Sequence, residues 1–299
     1  MIALRERAFA PHTLLAAAAL TSAALLPSPA LAHGVVGQRF FPATITTDDP
    51  FAADELALPT VTSFDGETDV DMDYSKTILP GFAIEVGVGH VDAKEDGEPR
   101  QRGFGNLAVS PSVELYRNPA HEFIFTTGLE WEIGGTGSRR VAERSSTYTP
   151  TVKFGKGFGD LPDSLGFLRP LAITGTAGYA IPGRGDEPKS IEWGGAIEYS
   201  LLYLRSNVRD EGFGDFVSHL TPVVELSLSS PVGAHGGGTT GTINPGLFWS
   251  GQYVQIGAEA LFPVNKESGR GTGVIAQLHF YIDDLFPHSL GRPIFGGKK

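Results

Sequence analysis

The chain contains no cysteine, so it can form neither a disulfide nor a thiolate metal site. Beyond its first 32 residues it has no apolar run approaching the roughly 20 residues that a membrane-spanning helix needs, and segments with helical period are scarce. Positive charge is also short. The 23 Lys and Arg against 34 Asp and Glu leave a formal net charge of −11, which argues against nucleic acid as a partner. What the chain has instead is glycine, 39 residues of 299, spread among short alternating segments. Without disulfides, an exported chain of this composition needs a large core or a closed sheet, and an all-β protein is expected.

Export itself is read from the start of the chain. Arg5 and Arg7 precede the apolar run Leu14 to Leu26, Pro27 and Pro29 break it, and Ala30-Leu31-Ala32 has the small-x-small form of a cleavage site. Residues 1–32 are therefore expected to be a cleaved signal peptide, with His33 as the new N-terminus.

The stretch "HEFIFTTGLEWEI" shows the pattern of the rest. Phe123, Phe125, Leu129, Trp131 and Ile133 fall on one parity, and Glu122, Thr126, Gly128, Glu130 and Glu132 on the other. Comparable segments occur at 59–65, 70–78, 82–91, 106–116, 121–133, 147–157, 170–181, 190–204, 220–230, 242–250, 253–262 and 273–282. Twelve strands are expected. Their connections differ in kind: the even ones include the short 79–81, 117–120 and 251–252, and the odd ones include the charged or glycine-rich 92–105, 134–146, 231–241 and 263–272. Short turns on the periplasmic side and longer loops outside are the habit of outer-membrane barrels.

A secreted sandwich or jelly roll would also alternate. Aromatics at strand ends on the apolar parity, namely Trp131, Tyr179, Trp193, Tyr199, Tyr203, Trp249, Phe262 and Phe280, favour the barrel, because interfacial girdles would place them there. The expected fold is thus a transmembrane antiparallel up-and-down β-barrel of about 12 strands over 59–283. Residues 33–58 would form an N-terminal periplasmic or lumen-inserted segment, and 284–299 a C-terminal periplasmic tail.

With the apolar parity outward, toward outer-membrane lipid, the other parity faces a lumen. It carries Glu85, Glu114, Glu130, Lys153, Glu198, Glu225, Glu259 and Gln277 as lumen-facing candidates, joined by Glu132, Glu192, Gln255 and His279. Lipid could not solvate these carboxylates and a wet lumen could. One reading makes Glu130, Glu198, Glu225 and Glu259 a cation-favouring constriction. The other makes the inward groups a hydrogen-bonded network that fills a small bore. Weaker signals are a metal site at His33 with His90, His235 or His279, and a hydrolytic pair at Ser218-His219 or His279. No Ser–His–acid spacing supports the latter, so neither a catalytic residue nor a cofactor or metal is assigned.

Three phrases, "WEIGGTGS" at 131–138, "FGKGFGDLPDSLGFLRP" at 154–170 and "LHFYIDDLFPHSLGRPIFG" at 278–296, resemble proteobacterial outer-membrane barrels, in particular transporters grouped with the meta-pathway phenol-degradation outer-membrane proteins. The resemblance implies an outer-membrane location and uptake of small organic, including aromatic, compounds. Three functions follow as expectations: a channel or transporter for small solutes, a closed structural or ligand-binding barrel, or a barrel-embedded lipid-modifying enzyme. The sequence names neither the solute nor an oligomeric state.

Overall fold

The computed structural model describes residues 34–94, 99–184, 188–233 and 237–296. The expected signal peptide, His33 and His235 lie outside the described residues. Twelve antiparallel strands follow one another around a closed barrel: β1 (Glu55–Phe64), β2 (Glu67–Leu79), β3 (Phe82–Ala93), β4 (Gln101–Phe104 and Leu107–Asn118), β5 (Phe123–Ile133), β6 (Thr147–Gly157), β7 (Leu171–Pro182), β8 (Lys189–Tyr199), β9 (Leu220–Val232), β10 (Thr240–Ser250), β11 (Val254–Pro263) and β12 (Gly273–Tyr281). Each pairs with its sequence neighbour. The barrel closes where β12 pairs with β1, from Val274 opposite Ser63 to Tyr281 opposite Glu55. Closure leaves no sheet edge, which supplies the stability that disulfides do not.

The alternation resolves into an outside and an inside. Ile197 and Val274 are each 59% exposed and Ile256 54%, and Val70, Val152, Val224 and Leu247 share that outer face. An apolar band running around a barrel is much larger than the patches soluble monomers expose. Aromatics flank it at both ends. Trp131 stacks on Tyr148 at 5.9 Å near one end, where Trp193 donates from Nε1 to Ser230 Oγ at 3.0 Å. Trp249 stacks on Phe216 at 5.9 Å near the other.

Three boundaries differ from the sequence expectation by four residues or more. β8 stops at Tyr199 instead of running to 204, because Ser200 Oγ accepts a hydrogen bond from Tyr203 N and caps a helical stretch from Leu201 to Val208. Tyr203 is therefore buried at the barrel's end and not part of an outer girdle. β4 begins inside the expected loop, since Gln101–Phe104 pairs with His90–Ala93 while Arg100 and Arg102 both bind Asp92. It resumes after Asn106, whose side chain donates to Glu132 Oε1 and Glu143 O, both at 2.9 Å. β1 starts at Glu55, four residues before the expected position.

Candidate functional site

Residues 34–54 precede β1 and lie at and within the end of the barrel that also holds the tail after β12. A small ribbon, Val35–Val36 paired with Arg39–Phe40, starts the segment. Its turn residue Gly37 has φ 66°, and a Cβ there would meet Pro119 O at 2.2 Å, so both conformation and space call for glycine. Arg39 is fully buried. Its guanidinium lies 3.8 Å from the Tyr203 ring centre, donates to Pro170 O at 2.8 Å and to Arg169 O, and pairs with Glu122 at 3.3 Å. Tyr203 donates from its hydroxyl to Glu122 at 2.9 Å; burial, with this hydrogen bond to a carboxylate, pushes its phenol up to about 12.

From this anchor the chain enters the lumen. Phe41 joins Val36, Ile124 and Ala172 in an internal apolar cluster, with Phe51 packed against it. Ile45 packs against Ala196, Val223 and Phe248. A Cβ at wall residue Gly257 would lie 2.7 Å from Ile45 Cδ1, so the small residue makes room for the segment. The tip is held by Glu225, whose carboxylate accepts from Ile45 N (2.8 Å), Thr46 N (2.9 Å), Thr47 N (2.8 Å) and the hydroxyls of Thr46 (2.8 Å) and Thr47 (2.9 Å). Asn244 donates to Thr46 Oγ1 at 2.8 Å and Gln255 to Ala43 O at 2.6 Å. Past the tip, Lys153 pairs with Asp48 at 2.9 Å, Thr126 donates to Pro50 O, and Glu114 accepts from Ala52 N at 3.2 Å. The segment leaves at Asp54, which accepts from Lys76 Nζ (2.6 Å) and Thr77 N (2.7 Å).

The lumen beside the segment is not filled. A cavity of about 290 Å³ is lined by the tip from Ala43 to Asp49 and by Glu55, Asp73, Glu85, Glu130, Lys153, Gln277 and His279. A smaller one of about 150 Å³ lies between the tip and β5–β9, with Glu130 and Glu192 on its wall. Burial, reinforced by Glu55, pushes the Asp49 carboxyl up to about 7, although it accepts a hydrogen bond from Phe51 N at 3.0 Å.

The candidate residues thus divide into groups. Glu85, Glu130, Lys153 and Gln277 line the larger cavity, and Gln277 donates to Thr60 Oγ1 at 3.0 Å. Glu225 is consumed in holding the segment, with Glu198 (1% exposed) buried on the adjacent β8 and Glu259 (4%) buried on β11, across β10. Glu114 binds the returning segment and Arg117. The four glutamates read as one constriction are therefore not assembled into one. Glu198, Glu225 and Glu259 are buried, and of these it is Glu225 whose carboxylate accepts the segment's donors; of the four, Glu130 is the one that lines the two lumen cavities.

The weaker candidates fall elsewhere. Ser218 Oγ is bonded to Gly214 O and Arg205, and His219 Nδ1 to Asp215 O, in the connection between β8 and β9. His279 Nε2 sits 3.3 Å from Glu55, and His90 packs edge-on against Phe104. Sequence reasoning missed Asp48 and Asp49 of the segment, and Asp73 on β2. The last was readable, since Asp71, Asp73 and Ser75 alternate with Val70, Met72 and Tyr74 by the same parity rule.

No protein-family profile matches the chain, and no curated protein matches it in sequence. Solved β-barrels match its fold. An outer-membrane channel from Pseudomonas putida F1 aligns with TM-score 0.50 and 9% identity over 81% of this chain and 99% of that one. The KdgM porin aligns at 0.48 and 15% identity (76% and 98%), and the NanC porin at 0.47 and 10% (77% and 98%). The class defined by strand order, closure and the first of these likenesses is a closed twelve-stranded antiparallel barrel. At 9% identity the likeness extends to fold and no further.

Proposed function

We propose that the chain is an outer-membrane barrel acting as a narrow channel for small polar solutes, with a preference for cations. The observation that carries this reading is the acidic cavity left beside the inserted segment, within a barrel whose outer face is apolar. An apolar exterior suits lipid, and a wall of carboxylates and hydroxyls suits hydrated solutes. The end holding residues 34–54 and the tail would face the periplasm, where short turns belong. The lining speaks against apolar aromatic compounds as the preferred cargo, because only a few side chains such as Phe51 offer them a surface.

The closed-barrel alternative draws on one specific observation, the five hydrogen bonds that fix the tip to Glu225. Swelling of proteoliposomes in a graded series of polar solutes separates the two. Swelling that falls off steeply with solute size supports a narrow channel. No swelling, with the protein folded and inserted, supports the closed barrel.

A further inference from the structure

The larger cavity has a hydrogen-bonding imbalance that identifies a ligand class. Asp48, Asp49, Asp73, Glu85 and Glu130 border it, and the cation on its wall, Lys153, is already paired with Asp48. Among the described residues no Lys or Arg forms an ion pair with Asp73, Glu85 or Glu130. A separate observation points the same way: Gln277 is 8% exposed, its amide nitrogen is spent on Thr60, and its buried Oε1 has no hydrogen-bond partner. A buried acceptor without a donor carries a desolvation cost that a ligand's N–H can recover. The capacity left open in this chamber is therefore that of acceptors.

We propose that this cavity is a binding site for a small organic dication, two ammonium groups joined by a short aliphatic chain. Among the described residues no three His, Asp or Glu side chains converge as metal ligands, so the negative charge is distributed along the chamber and suits an extended cation better than a point charge. Phe51, Ala57 and Ala108 offer apolar surface for the stem. At roughly 30 Å³ per water the space holds about ten waters, enough for a diamine that keeps part of its hydration. Multiple charge-assisted hydrogen bonds from N⁺–H to carboxylate are the strong kind. The assignment deepens the channel reading by naming the solute.

The test is calorimetric titration of the folded protein in detergent with 1,4-diaminobutane, with 1,4-butanediol as the uncharged counterpart. Saturable binding of one diamine per barrel is expected, with none for the diol. Glu85→Gln/Glu130→Gln should weaken it by about tenfold or more, and Gln277→Leu severalfold while leaving every carboxylate in place. Absence of saturable binding, equal binding of the diol, or unchanged affinity in both variants would overturn the proposal. If the double variant does not fold, the Gln277→Leu comparison decides alone. Ion current without diamine binding would keep the channel and end this assignment; diamine binding by a barrel that carries no current would do the reverse.

Discussion

Replacing Glu225 with alanine tests what holds the segment inside the barrel. The carboxylate takes three backbone N–H groups and two hydroxyls from residues 45–47. Leaving a buried donor unpaired costs about 1–3 kcal/mol, but water entering the vacated space can rescue some of the five, and such terms do not add. A net loss of about 3 kcal/mol is the reasonable figure, which raises the undocked population about 150-fold. The base should stay in place, because Arg39 and Asp54 have separate anchors. The absence of native cysteine makes the assay simple. Thr47→Cys is built with and without Glu225→Ala, and maleimide labelling is timed against each unfolded variant. Labelling about 100-fold faster in the Glu225→Ala background is expected if modification goes through undocking. Equal rates in the two backgrounds would refute the idea that Glu225 is the latch.

Other outcomes follow from the same geometry. Ile197→Arg, on the outer face, should cost about 2–4 kcal/mol in lipid-based unfolding near the bilayer midplane; a silent substitution would mean that this face meets water. Arg39→Ala leaves Glu122 buried without its cation and should cost about 3–5 kcal/mol of stability by denaturant titration, whereas a loss under 1 kcal/mol would show the cluster to be dispensable. Docking should also depend on pH. Burial pushes Asp49 up to about 7 when docked, against about 3.8 when free, so the part of docking that rests on its protonation is full below about 3.8, is lost as pH rises to about 7, and is absent beyond. Labelling at Thr47→Cys, normalised to the unfolded control for thiol ionisation, should therefore be faster at pH 8 than at pH 5; the opposite order would contradict the assignment.

Strands with one greasy face announce themselves, which is why residues such as Trp131 beside Glu130 and Glu132 could be assigned outward and inward without coordinates. Parity also placed Glu198, Glu225 and Glu259 on the inner wall. It could not say what they meet there. Thr46 and Thr47 lie about 180 positions from Glu225, and the phrase around them, "PATITTDDP", has no period to mark it as part of a lumen. The overrun of β8 has a similar cause. The run Tyr199 to Leu204 is apolar and aromatic enough to read as a continuation of the strand, but Ser200 offers a helix cap and Tyr203 has buried partners in Arg39 and Glu122 that only a turn lets it reach.

The most direct test of the account is single-channel recording of the folded protein in a planar bilayer under a potassium chloride gradient. Discrete steps of small conductance with a cation-selective reversal potential are expected, larger in Glu225→Ala. A silent bilayer containing protein that is inserted and folded, or a reversal potential of the anion-selective sign, would contradict it.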